Sequence, residues 1–245
     1  MNHIYEKENN LWNDFKQKNP CYDWDNILID GLCLSDIRNA RNLNDISELE
    51  RLWIDSRIRV LFLLKEGVDQ GGDDYRDYLW ESEKCKSQIK SNLRKILWHL
   101  NNLSSCAKEL ANNVCGEYPF AIVNIKKVSR CSETDGNNSN WHELRDYAKK
   151  HKEFLKKQIP EILNPSIMVC CGCDNKDSII SIATDYIFDD IKFNEFYIGP
   201  DLWCKYNTTE NIFLLNSHHL SYGGCNVDKL INAFKQLLTC YNISL

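Results

Sequence analysis

Apolar residues along the chain fall into two periods. Four short runs, Ile58–Leu64, Phe120–Ile125, Ser166–Cys171 and Asn211–Asn216, are rich in Val, Ile, Leu and Phe and lack a strong polar alternation. Strands covered on both faces read this way, as in a parallel sheet. Between them the spacing changes to threes and fours. Ile46–Asp55 carries Ile46, Leu49, Trp53 and Ile54, and Ser87–Leu103 carries Ile89, Leu93, Ile96, Leu97 and Leu100. Trp141–Ile162, Asp174–Ile187 and Val227–Leu238 continue the series, each with the core-facing stripe of an amphipathic helix. Strands alternating with helices predict right-handed crossovers and a three-layer α/β/α sandwich around a four-stranded parallel sheet. Residues 1–45 begin with a helical stripe (Ile4, Leu11, Trp12, Phe15) and continue irregularly through Tyr22–Leu34. They are expected to cover a core formed by residues 46–245, within one domain.

Composition narrows the classes. The 245 residues are 43% hydrophobic and 27% charged, which is ordinary for a globular chain. No apolar run reaches the roughly 18 residues of a membrane span, and Met1–Asn10 is polar, without a signal-peptide pattern. Twelve cysteines are present, with Cys170 and Cys171 adjacent inside an apolar run. The expectation is therefore a cytoplasmic protein, monomeric, with buried free thiols rather than disulfides. Cys170, Cys171 and Cys173 have no second cluster at zinc-finger spacing, so no metal is expected.

The net charge of −5 does not favour a polyanion, but phosphate contacts need only local cations. Lys126, Lys127 and Arg130 form one such group. The run Lys149, Lys150, Lys152, Lys156 and Lys157 lies on a predicted helix and reads better as a solvated face.

In an open parallel sheet, ligands bind beyond the carboxyl ends of the strands. After the first strand, Lys65-Glu66-Gly67-Val68-Asp69-Gln70-Gly71-Gly72-Asp73-Asp74-Tyr75 offers carboxylates and close backbone approach. After the second, Asn124 can offer a donor and an acceptor to a base, with Lys126, Lys127 and Arg130 following. The third ends in Cys170-Cys171-Gly172-Cys173, a tight turn into a helix. The fourth ends in Asn216-Ser217-His218-His219-Leu220-Ser221-Tyr222, where one of two consecutive histidines can face a cleft.

These four segments, in this order, resemble the uracil-DNA glycosylase superfamily over about Arg57 to Leu238. Val123-Asn124-Ile125-Lys126-Lys127 is similar to the Thr-Asn-then-Lys stretch of its thermophile-type members. Met168-Val169-Cys170-Cys171-Gly172 resembles their strand ending in glycine, and Ser217-His218-His219-Leu220-Ser221 their His-Pro-Ser motif. The departures are specific. Gly67 stands where several members carry Asp or Asn, Val68 replaces a proline, and the proline after the late His is His219 or Leu220. Val128 replaces a cluster cysteine and no Cys-x-x-Cys pair lies near the N-terminus, so no iron–sulfur cofactor is expected.

The resemblance implies a DNA glycosylase that flips a base out of the helix and cleaves its N-glycosidic bond. The base would be damaged or enzymatically modified, and a role in defence against viruses with altered DNA would fit. Glu66 or Asp69 would stabilise the sugar or orient water, and His218 or His219 would stabilise the departing base. Asn124 would read the base, Gly67 would leave room for it, and Tyr75 or Tyr78 would stack on it. Lys126, Lys127, Arg130 and Ser221 would hold phosphates. Two other readings remain: a non-catalytic nucleic-acid-binding module of the same fold, and a hydrolase with a cysteine nucleophile paired to His218 or His219.

Overall fold

The computed structural model describes residues 3–33, 43–56, 58–68, 71–79, 87–103, 119–130, 140–173, 177–198, 202–222 and 227–240. The chain is mixed α/β, and its described residues build a seven-stranded sheet. In chain order its elements are α1 (Ile4–Lys18), β1 (Gly31–Cys33), α2 (Leu43–Asp55), β2 (Val60–Val68), α3 (Tyr75–Tyr78), α4 (Ser87–Leu103) and β3 (Phe120–Arg130). There follow α5 (Trp141–Lys150), α6 (Lys152–Lys156), β4 (Ile167–Cys171), α7 (Ile179–Ile182), β5 (Asn194–Ile198), β6 (Leu202–Asn207), β7 (Ile212–Ser217) and α8 (Val227–Cys240).

The strand order is β1-β3-β2-β4-β7-β6-β5. The four central strands β3, β2, β4 and β7 are mutually parallel, and they are the four runs read from the sequence. The expected four-stranded sheet is thus corrected to seven. Antiparallel β1 is added to β3, and β6 and β5 to β7. All five residues of β4 are buried, as a strand in mid-sheet requires. The edge strand β5 is largely exposed, and its Tyr197 is 70% exposed.

Alternation along β2 sorts the core into two layers. Val60, Phe62 and Leu64 join Leu93, Ile96, Leu97, Leu230 and Phe234 of α4 and α8 on one face. Leu61 and Leu63 join Trp12, Phe15, Leu144, Phe154, Leu155 and Ile180 on the other, the side of α1, α5, α6 and α7. The N-terminal helix is part of this second core.

The expected continuous helix over Trp141–Ile162 is broken. Asn140 caps α5 through its side-chain oxygen, which accepts from the His142 and Glu143 amides. The helix stops at His151 (φ −108, ψ 23), whose Nε2 lies 2.8 Å from the Tyr22 hydroxyl. From Lys157 to Leu163 the chain winds as a π-helix containing Pro160, which cannot donate to an α-helical ladder. The fourth helical run starts later than predicted, at Ile179, where the Ser178 side chain accepts from the Ser181 amide. The lysine run behaves as a solvated face: Lys152 and Lys156 both pair with Asp189.

A buried polar network fastens α1, β1 and the π-helix to β3. Asp30 and Lys127 are wholly buried, with Nζ 2.7 Å from Oδ1. Gln158 accepts from Lys127 at 2.9 Å and donates to the Asp30 carbonyl at 2.9 Å. The Asn124 amide N–H reaches the second Asp30 oxygen at 2.7 Å, and the Trp12 indole donates to the Asp30 carbonyl. Burial lowers the Lys127 pKa, opposed by the charge of Asp30. Beside this pair lies Glu8, in the apolar stripe of α1, accepting from the Leu32 amide at 3.2 Å. Its Oε1 is buried without a hydrogen-bond partner. A Cβ on Gly31 would stand 1.9 Å from that oxygen, so glycine is needed there.

Lys127→Met strands a buried carboxylate and should cost about 3–5 kcal/mol, most of it recovered in Asp30→Asn/Lys127→Met; chemical denaturation measures both. Burial pushes the Glu8 pKa up to about 8, against the lowering influence of Arg76. The folded state therefore keeps a proton that the unfolded chain releases near the ordinary carboxylate range. Its stabilising effect is complete below that range and lost as pH rises toward 8, a decline on the order of a few kcal/mol. Glu8→Gln should flatten stability between pH 5 and 8. Parallel pH profiles for parent and variant would refute the assignment.

Candidate active site

Because β3, β2, β4 and β7 run the same way, their carboxyl ends leave the sheet along one edge. Glu66 lies opposite Lys126, and Cys171 lies opposite Ser217. Glu66-Gly67, Lys126, Gly172-Cys173 and His218-His219 therefore leave from that edge, with β2 and β7 separated by two strand spacings, about 10 Å.

Glu66 is buried in the last part of β2, with its carboxylate 3.2 Å from Lys126 Nζ and 3.6 Å from Arg130 Nε. Alternation puts Lys126 on the opposite face of β3 from Lys127, so one cation serves Glu66 and the next serves Asp30. Lys126 also approaches Glu143 of α5 at 3.5 Å. The register of β2 against β3 slips between Glu66 and Val68, so Gly67 stands at an irregularity, a common place for glycine in a strand.

Several expected roles are corrected by packing. Asn124 is 1% exposed, and its side-chain amide donates to Asp30 at 3.2 Å, so it is a structural ligand of that carboxylate rather than a reader of bases. Lys127 is committed to Asp30 and Gln158 in the core, out of reach of any phosphate. Arg130 is buried against Glu66. The ring of Tyr75 belongs to the core cluster of Phe62 and Leu93, not to a stacking platform. Tyr78 ends α3, but its side chain lies outside the described residues, as does Asp69 altogether.

The two histidines differ. His219 is half-buried. Its Nδ1 accepts from the Ser221 amide at 3.2 Å and lies 2.7 Å from the Ser221 hydroxyl. An accepting Nδ1 carries no proton, so the neutral ring presents Nε2–H as a donor. Ser221 therefore orients an imidazole, in place of the phosphate contact expected of it. His218 is exposed, with Nδ1 3.5 Å from Cys173 Sγ and its ring 5.3 Å from that of Tyr222. Glu66, Asn124 and the histidines thus have separate partners, and of the expected trio Asn124 leaves the site.

Other members were not singled out in the sequence. Lys65 lies with Nζ 4.2 Å from the Trp141 ring centroid and runs past Gly172, whose added Cβ would meet its Cε at 2.6 Å. Tyr222 is 58% exposed beside His218. The strand-end rule pointed to these turns, but nothing local marked Trp141, which reaches the edge from the start of α5. Among the described residues no group of three or more His, Cys, Asp or Glu could hold a metal ion.

A separate groove of about 790 Å³ lies at the opposite, amino edge, lined by α1, α2 and the π-helix with Ile4, Trp53, Ile54, Arg59 and Leu163 among its walls. It contains none of the carboxyl-edge residues. The chain matches no family model, no curated protein and no solved structure.

The Glu66 cluster can be tested without knowing a substrate. Arg130→Ala should lower stability by about 1–3 kcal/mol, as when a charged hydrogen-bonding group loses its partner. In a Glu66→Gln background the same change should cost clearly less. Equal costs in the two backgrounds of a double-mutant cycle would mean the two groups are not coupled.

Proposed function

We propose that the protein is a DNA glycosylase acting on a damaged or modified base, with its reaction centre at the carboxyl edge of the parallel strands. The observation that carries this reading is the pairing, at one edge, of a buried carboxylate held between two cations with an imidazole fixed as an Nε2–H donor. Breaking an N-glycosidic bond places positive charge on the sugar and negative charge on the leaving base. A carboxylate and a neutral imidazole donor answer these two charges. Since β4 lies between β2 and β7, Glu66 and His219 leave the edge about 10 Å apart, and a flipped nucleoside would lie over the end of β4. Glu66 faces the sugar or orients water, and His219 donates to the base. Lys65 and Lys126 supply cations for flanking phosphates, and Tyr222 supplies an exposed ring for stacking. No membrane partner is invoked: no helix of the described residues is long and apolar enough to span a bilayer.

The test is release of free base, followed by mass spectrometry, from uracil-containing, damaged and virus-type modified DNA, with abasic sites counted on the same samples. Glu66→Gln and His219→Gln should each reduce turnover by about 10²–10⁴-fold while DNA affinity stays within a few-fold. Retained affinity with no base released from any substrate would establish the non-catalytic binding module instead. Loss of neither turnover nor affinity in the variants would move the site elsewhere.

A further inference from the structure

Outside the pair Glu66–His219, the carboxyl edge holds a second chemical centre. Cys173 leaves the end of β4 half-exposed, and its sulfur lies 3.5 Å from Nδ1 of His218, a residue that leaves the end of β7. The two are 45 positions apart in sequence and meet because Cys171 and Ser217 are register partners and the Gly172 amide donates to the Ser217 carbonyl at 2.8 Å. We infer that Cys173 and His218 form a nucleophile–base dyad that accepts an acyl group from an activated ester, an activity distinct from base excision.

Three features of the surroundings support this. First, Cys173 is set apart from the thiols in the sheet. Cys33, Cys170, Cys171 and Cys204 are buried, and burial raises the Cys33, Cys170 and Cys204 thiols, that of Cys204 to about 12. Such thiols are poor nucleophiles, whereas a thiol beside an imidazole and open to solvent can react as thiolate. Second, the contact joins the ends of two adjacent parallel strands, so it is held by the sheet on both sides. Third, the flanking groups suit an acyl donor with an aromatic leaving group: the exposed Tyr222 ring lies beside His218, and Lys65 brings positive charge past Gly172. Among the described residues, titratable groups near the dyad include Lys65 from β2, His219 and Tyr222 from the segment after β7, and Asp177, which is paired with Arg145 and adjoins Ser178, the bridge partner of Cys173.

The step balances without a co-reactant other than water. The Cys173 proton passes to His218, sulfur attacks the carbonyl carbon, and the bond from that carbon to the leaving oxygen breaks as the imidazolium returns the proton to it. Water then gives a proton to His218 as its oxygen attacks the thioester carbon. The carbon–sulfur bond breaks, and the thiolate recovers the proton from the imidazolium.

The full chain treated with p-nitrophenyl acetate tests the dyad, with nitrophenolate release followed optically and acetylated residues mapped by mass spectrometry. The exposed Cys21 serves as internal reference. The expected result is a burst of nitrophenolate with acetyl on Cys173, forming about tenfold or more faster than on Cys21 near neutral pH. His218→Gln should slow Cys173 by about tenfold or more and leave Cys21 unchanged, and Cys173→Ser should remove the burst. Equal rates at Cys173 and Cys21, an unchanged Cys173 rate in His218→Gln, or a burst surviving Cys173→Ser would each overturn the assignment. Base release by Cys173→Ser reports separately on the glycosylase reading.

Discussion

Parallel alignment of β3, β2, β4 and β7 is the constraint from which the rest follows. Strands that run together must all finish at one edge, and whatever side chains stand in their final turns are brought to a single rim. Helices cover both faces of these strands with apolar side chains, leaving little room there for polar chemistry. The rim therefore collects Lys65, Glu66, Lys126, Cys173, His218, His219 and Tyr222 from four strand ends. The amino edge has a roomy groove but none of this set.

Buried ion pairs anchor the end of β3. The end of β3 sends Lys126 and Arg130 to Glu66, and Lys127 to Asp30. Charges taken out of water in this way contribute little net stability when paired and cost much when a partner is lost. Their effect is mainly positional: Asp30 is also gripped by Trp12, Asn124 and Gln158, so α1, β1 and the π-helix are indexed to one point on β3. The network ties the N-terminal segment to β3. The stability expected to be lost as pH rises toward 8 through Glu8 is its accompanying cost.

The four central strands were legible because burial on both faces leaves continuous apolar runs, and α4 was legible because its stripe is uninterrupted. β1 was not, being three residues long and containing Gly31. β6 alternates buried Leu202 and Cys204 with more open neighbours, a pattern present in the sequence. Its partner β5 is an exposed edge with no such signal. The strand-end rule names the carboxyl edge, and Glu66 and the histidines stand there. Asn124 and Lys127 carried attractive chemistry for a nucleic acid, yet their partner Asp30 lies more than 90 positions away, and no local spacing reveals such a pairing. The different surroundings of His218 and His219 likewise come from Cys173 and Ser221, and only the second is near in sequence.

The proposal that the carboxyl rim binds nucleic acid is tested most directly by amide hydrogen exchange with and without a short single-stranded oligonucleotide. Protection is expected over the segments 65–68, 126–130, 172–173 and 218–222, with the α1–α2 groove unchanged. Protection confined to that groove, or no site-specific protection at saturating oligonucleotide, would contradict the assignment of the rim as the binding surface.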